Sequence, residues 1–170
     1  KKILKVSSLG FKANNKSLGH RFESKSKILT IDHADNYEKI LLETGGVIVN
    51  YEQRKEKIYT DIILATKSFK KELHIIDDDA LLNEVTSLVE MPNILIGSFE
   101  ERYLEVPQEC LILSMKANQK YFPLFDANNN LTNNFVIVSN LTPKDSTNII
   151  QGNEKVIRPR LADAEFFFEQ

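Results

Sequence analysis

Two apolar runs flanking a single polar turn constrain this chain most. Tyr121-Phe122-Pro123-Leu124-Phe125 and Phe135-Val136-Ile137-Val138 lie on either side of Asp126-Ala127-Asn128-Asn129-Asn130. Asp and Asn bond their own backbone in turns, so the pattern predicts a β-hairpin. Pro123 has no N–H to donate to a ladder, which puts its strand at a sheet edge or on a bulge. The run Asn93-Ile94-Leu95-Ile96-Gly97-Ser98-Phe99 reads as a further strand, buried on both faces. Shorter β-branched runs at Ile3-Leu4-Lys5-Val6 and Ile28-Leu29-Thr30-Ile31 predict a strand, a long loop through Gly10, Asn14, Asn15 and Gly19, and a second strand.

Helical spacing fills the remainder. Asp32 is placed to cap a helix carrying Tyr37, Ile40, Leu41 and Thr44, with Gly45-Gly46 as its stop. Asn50 and Gln53 make a capping pair ahead of the stripe Tyr51, Ile58, Ile62, Ala65 and Phe69, which predicts the longest helix over 51–71. Asp77-Asp78-Asp79 could offer oxygens to a hard cation. The stripe that follows, Leu81, Leu82, Val85, Leu88 and Val89, instead makes these aspartates the capped start of a helix. Pro107 opens another helix with Leu111, Ile112 and Met115, and a last one is predicted from Pro159 to Gln170 with Leu161, Ala164 and Phe168 on one face. There Phe166-Phe167-Phe168 spreads aromatic surface over about half the circumference. Strands and helices alternate irregularly, so the fold class is α+β rather than a doubly wound parallel sheet.

The 170 residues, 42 % hydrophobic and 27 % charged, suit one domain. No stretch of eighteen apolar residues is present, and no basic-then-apolar leader precedes Ile3, so a helical membrane span and a secretory signal are both excluded. The expectation is a soluble, cytoplasmic protein. The single Cys110 forms no internal disulfide, and with only His20, His33 and His74 beside it no Cys/His zinc set can be assembled. Cys110, next to Leu111 and Ile112, is expected to be a small buried thiol. A start at Lys1 without Met and an end on the phenylalanine cluster lead to the expectation of a piece of a longer protein.

A net charge of −2 hides an uneven distribution. Residues 1–27 hold eight Lys or Arg against the single Glu23, a local charge of +7. This segment can meet an anionic partner; the competing reading is that its lysines guard exposed strand edges. Phosphate-loop, dinucleotide-fold and nucleophile-elbow motifs are all missing. Two segments stand out. Gly19-His20-Arg21-Phe22 sets an imidazole and a guanidinium beside a glycine, either to contact phosphate or move a proton, or as a loop anchored by Phe22 with Arg21 paired to a carboxylate. Arg158 and Arg160 flank Pro159, with Asp163 and Glu165 as local partners, and here ion pairs and RNA phosphates compete as explanations.

Five runs, in order, carry a resemblance: Gly19-His20-Arg21-Phe22; Leu88-Val89-Glu90-Met91-Pro92 through Gly97-Ser98-Phe99; Gln119-Lys120-Tyr121-Phe122-Pro123; Val138-Ser139-Asn140; and Gly152-Asn153-Glu154 through Arg160-Leu161-Ala162-Asp163-Ala164-Glu165-Phe166-Phe167. On these the sequence resembles an internal part of the beta chains of bacterial, tetrameric glycyl-tRNA synthetases. Met91 stands where that family commonly has an aromatic, and Pro159 where it has a small residue. The resemblance implies an α+β domain over 1–157 with a β-sandwich-like core and outer helices, similar to the editing-type domain of the phenylalanyl-tRNA synthetase beta chain. Residues 158–170 would begin a helix leading into a helical domain similar to metal-dependent phosphohydrolases. It also implies no cofactor in this part, with ATP and Mg used by the alpha subunit, and as partners tRNA(Gly), that alpha subunit and a second beta subunit in an α2β2 tetramer, with no membrane. No catalytic or metal residue is assigned. The candidate RNA contacts are Lys12, Lys16, His20, Arg21, Arg158 and Arg160. An editing role, with His20 or a carboxylate positioning water to deacylate mischarged tRNA, is the alternative, together with a purely structural spacer.

Overall fold

The computed structural model describes residues 3–69 and 72–169. Lys1 and Lys2 of the basic run, Lys70 and Lys71 at the end of the expected 51–71 helix, and Gln170 lie outside the described residues.

Two short antiparallel ladders open the chain. Strand β1 (Ser7–Ser8) pairs with β2 (Phe11–Lys12), and β3 (Lys16–Ser17) with β4 (Leu29–Thr30). The expected strand at Ile3–Val6 is not formed. Ile3, Leu4 and Val6 are exposed, and with no apolar face to bury, their β-branched character gains nothing from pairing. Asp32 does not cap the next helix: its carboxylate accepts from the Asn36 amide at 3.0 and 3.2 Å. A 3-10 turn over Ala34–Asn36 leads instead into α1 (Tyr37–Glu43).

The main body is a helix–sheet–helix stack. Helix α2 (Tyr51–Ser68) is capped by Asn50, whose Oδ1 accepts the Gln53 N–H at 3.1 Å. Asp78 caps α3 (Asp79–Leu88) by accepting from Leu81 N at 2.9 Å. A 2.8 Å contact with the Lys116 ammonium, reinforced by that N–H, holds the Asp78 carboxyl below the ordinary range. The aspartate run is therefore a helix start, as its spacing suggested. Strand β5 (Asn93–Ser98) follows, then a 3-10 turn over Glu101–Glu105, and α4 (Gln108–Ser114) with Pro107 as its N-cap. Cys110 on α4 is exposed, not buried, because Leu111, one position on, turns into the core and the helical advance of about 100° per residue carries its neighbour to solvent.

Strands β6 (Phe122–Phe125) and β7 (Leu131–Ser139) form the expected hairpin, and β5 joins the other side of β7 to give an antiparallel sheet of order β5-β7-β6. Pro123 sits on the edge strand β6, and the register shifts between Pro123 and Phe125. Period-two alternation splits β7 between two cores. Phe135 and Ile137 join Tyr103, Leu111, Met115, Ile157 and Leu161 on one face; Val136 joins Ile58, Ile62, Leu82 and Val85 on the other. Among the described residues, each face of the sheet is covered by helices and not by a second sheet. Gly97 pairs with Phe135, and a Cβ added to it would lie 2.8 Å from the Phe135 ring. The glycine lets the ring lie across the edge strand, where it also packs 4.6 Å from Tyr121.

The last helix, α5 (Thr147–Glu169), begins twelve residues earlier than Pro159. Asp145 Oδ1 accepts the Thr147 N–H at 2.9 Å and the Ser146 carbonyl accepts from Ile149 and Ile150, which closes the first turn upstream. Pro159 is inside the helix on an exposed position, so it costs one hydrogen bond while Ile157 and Leu161 stay fully buried. The boundary expected at 157/158 falls within this continuous helix.

Truncating Phe135, which is 0 % exposed, is expected to destabilise the chain by about 3–5 kcal/mol in urea unfolding. Cys110→Ser is expected to leave the midpoint unchanged, since the residue is exposed.

Candidate functional site

The sequence runs that resemble one family meet at two joints. Around His20, three of them converge. The ring is 3 % exposed, and its Nδ1 accepts the N–H groups of Phe22 and Glu23, both at 3.1 Å. That pattern assigns the proton of the neutral ring to Nε2. Nε2 is buried without a hydrogen-bond partner, 3.8 Å from a Glu90 carboxylate oxygen. Backbone contacts seat the turn: His20 N–H donates to Gly45 O at 2.7 Å, and a Cβ on Gly19 would lie 2.5 Å from that oxygen. The loop after β7 completes the joint. Asn140 Oδ1 accepts from Glu90 N and Met91 N at 2.8 and 3.1 Å, and Glu23 Oε1 accepts from Thr142 N at 2.8 Å.

A second joint ties α5 to the sheet. Glu154 accepts from the N–H and the hydroxyl of Ser98 at 2.9 and 3.1 Å, and so caps the exit of edge strand β5. Tyr121 donates its hydroxyl to Asn153 Oδ1 at 2.6 Å. Burial pushes the Tyr121 hydroxyl up to about 12. Lys120, which precedes it, takes a left-handed conformation (φ 58°) to turn the chain out of the π-type turn Met115–Gln119 and into β6.

The candidate residues separate on this frame. Lys12 on β2, Lys16 on β3 and Arg21 are exposed, and among the described residues none of the three has a carboxylate within ion-pair distance. Arg21 lies over the Phe22 ring at 5.3 Å. The expected anchor and its neighbour exchange roles: Phe22 is 70 % exposed and His20 is the buried anchor. His20 thus leaves the set of RNA contacts, and it is also withdrawn as the group that positions water for deacylation. Both of its nitrogens face the interior, so it presents no atom to a phosphate or an ester. On α5, Arg158 Nε pairs with Glu100 at 2.7 Å, and Glu165 pairs with Arg102 at 2.8 Å instead of with either expected arginine. Arg160 is exposed and without an ion-pair partner among the described residues. The hydrogen bonds and ion pairs of the described residues do not join the Lys12–Lys16–Arg21 group to Arg158 and Arg160. Patterning could not reveal these joints, because the elements they tie together lie 25 to 119 positions apart.

A profile of the family described as glycyl-tRNA synthetase beta subunit matches residues 1–170. The chain belongs to the glycyl-tRNA synthetase beta-subunit family. It is 56 % identical over 167 residues to the glycine–tRNA ligase beta subunit of Nitrosomonas eutropha, covering 98 % of this chain and 23 % of that protein. Similar coverage, 99 % and 24 %, links it at 52 % identity to the beta subunit of Janthinobacterium sp. strain Marseille. The chain therefore spans about a quarter of the length of the glycyl-tRNA synthetase beta subunits it matches. Among the described residues, no helix is long and apolar enough to cross a membrane.

Two outcomes check the joints. His20→Ala strands two backbone N–H groups and is expected to cost about 1–3 kcal/mol, with faster proteolysis of the 13–28 segment. A phenol whose folded value is raised favours folding below its free value near 10 and loses that contribution as pH rises towards 12. Urea midpoints are therefore expected to fall between pH 10 and 12, with a shallower fall in Tyr121→Phe.

Proposed function

We propose that this chain is a scaffolding and tRNA-contacting domain of a glycine–tRNA ligase beta subunit. Residues 3–27 form a basic arm, and the helix–sheet–helix body holds that arm in place. The observation that carries the reading is the contrast in charge pairing. Lys12, Lys16 and Arg21 project from the arm with no carboxylate partner among the described residues, whereas of the two α5 arginines Arg158 is matched by Glu100 and Arg160 alone is unpaired there. Exposed, unpaired cations are the groups that displace counterions from a phosphate backbone.

On this reading the domain carries no catalytic residue of its own. ATP, Mg and glycine are handled by the alpha subunit, the anionic partner is tRNA(Gly), and the protein works in the cytoplasm as an α2β2 tetramer. Membership of the beta-subunit family supports that division of labour. The proposed kinship with the editing-type domain of the phenylalanyl-tRNA synthetase beta chain rests on the α+β architecture. The polar residues of the shared motifs support a structural role for the body, since Asn140, Asn153 and Glu154 are each spent on bonds between elements.

The test is a titration of the full-length alpha and beta assembly with tRNA(Gly) across a salt series. Replacing Lys12, Lys16 and Arg21 together by Ala is expected to weaken binding and to reduce the slope of log affinity against log salt by about one for each phosphate no longer neutralised. Arg158→Ala/Arg160→Ala is expected to change the slope less. An unchanged slope in the arm variant would contradict the proposal.

A further inference from the structure

Between the start of the arm and the entry to α1 lies a cavity of about 560 Å³. Its apolar lining includes Leu4, Ile31 and Tyr37, and Tyr37 is 41 % exposed. Asn15, Lys16 and His33 also line it. The backbone around it is fixed. Ile31 N–H donates to Asn15 O at 2.7 Å, the Asn14 carboxamide oxygen accepts from Lys16 N at 2.7 Å, and Ala13 N–H reaches Val6 O at 2.8 Å.

The polar side chains divide into spent and unspent groups. Asp32 gives both carboxylate oxygens to Asn36. His33 Nδ1 is taken up within its own turn, 3.1 Å from Asp35 N and 3.0 Å from the Asp35 carboxylate, and its Nε2 has no hydrogen-bond partner among the described residues. The Asn15 carboxamide, the Lys16 ammonium and the Tyr37 hydroxyl have no hydrogen-bond or ion-pair partner among the described residues. A carboxamide offers a donor and an acceptor side by side, which is what a nucleobase edge requires. An exposed aromatic face takes the flat side of an unstacked base, and an unpaired ammonium takes the adjoining phosphate.

We propose that this cavity receives one unstacked nucleotide of an RNA strand. Tyr37 stacks on the base, Asn15 and His33 meet its edge, and Lys16 meets its phosphate. This deepens the proposed function and rests on its placing RNA along the basic arm. It adds a pocket that reads a single base, where the lysines alone would bind any phosphate backbone. A peptide is the weaker fit, because among the lining residues a single aromatic ring, a carboxamide and an ammonium suit one base and its phosphate.

The experiment uses the full alpha and beta assembly with unmodified tRNA(Gly). Tyr37→Ala is expected to weaken binding by at least about fivefold, with Tyr37→Phe close to wild type. A photo-crosslinking p-benzoylphenylalanine introduced at position 37 is expected to attach to one nucleotide, identified by nuclease digestion and mass spectrometry, and Asn15→Ala is expected to reduce that yield. If the Lys12/Lys16/Arg21 variant loses affinity while Tyr37→Ala does not, and the crosslink scatters along the RNA or is absent, the pocket fails and the basic arm stands. A crosslink to polypeptide overturns the proposal in favour of a protein occupant. If the arm variant binds tRNA normally, the proposed function fails, and a crosslink to a single nucleotide decides the pocket independently.

Discussion

Strand β7 must be hidden on both faces at once, and the rest of the body is arranged to do so. Its side chains alternate between two cores, with Phe135 and Ile137 on one side and Val136 and Val138 on the other. A strand of this kind cannot leave either face to water, since each buried aliphatic or aromatic side chain contributes roughly 1.5–3 kcal/mol. Helices α2 and α3 cover one face; α4, the adjoining 3-10 turn and α5 cover the other. Gly97 adapts the edge strand to the largest of these side chains, because any Cβ there would collide with Phe135. Central placement in the sheet supplies β7 with hydrogen bonds along both edges, from β5 and from β6.

Much of this body was legible in the sequence, for physical reasons that can be named. The hairpin around Asp126–Asn130, the edge position of Pro123 and the caps at Asn50 and Asp78 depend on residues close together in the chain. Local chemistry is enough to determine them. Expectations failed where the deciding partner is distant or the local cue misleads. Pro159 looked like a helix start, but the Asp145–Ser146 cap upstream and the buried pair Ile157 and Leu161 carry α5 straight through it. Ile3–Val6 reads as a strand, yet its apolar side chains are exposed. Cys110 looked buried beside apolar neighbours, but a helix sends adjacent residues to different faces.

The site was legible by composition and not by role. The excess of cations in the first 27 residues is plain in the sequence, as is the Gly19–Phe22 motif. That His20 serves as the anchor, with two backbone N–H groups on Nδ1 and its other nitrogen towards Glu90, depends on residues 25 and 70 positions away, at Gly45 and Glu90. The shared motifs act as joints: one fastens the arm to the loops after α3 and β7, and the other fastens α5 to β5 and β6. Asn140, Asn153 and Glu154 in these runs each bond one element to another. The His20 joint also seats the turn from which the exposed Arg21 projects.

If a fixed body presents the arm to RNA, binding must protect the arm and leave the body as it was. Hydrogen–deuterium exchange of the alpha and beta assembly, with and without tRNA(Gly), separates the two regions in one experiment. Slower exchange is expected on RNA binding across residues 5–37, with little change in β7 and along α5. Protection confined to α5, with the arm unaffected, would contradict this arrangement.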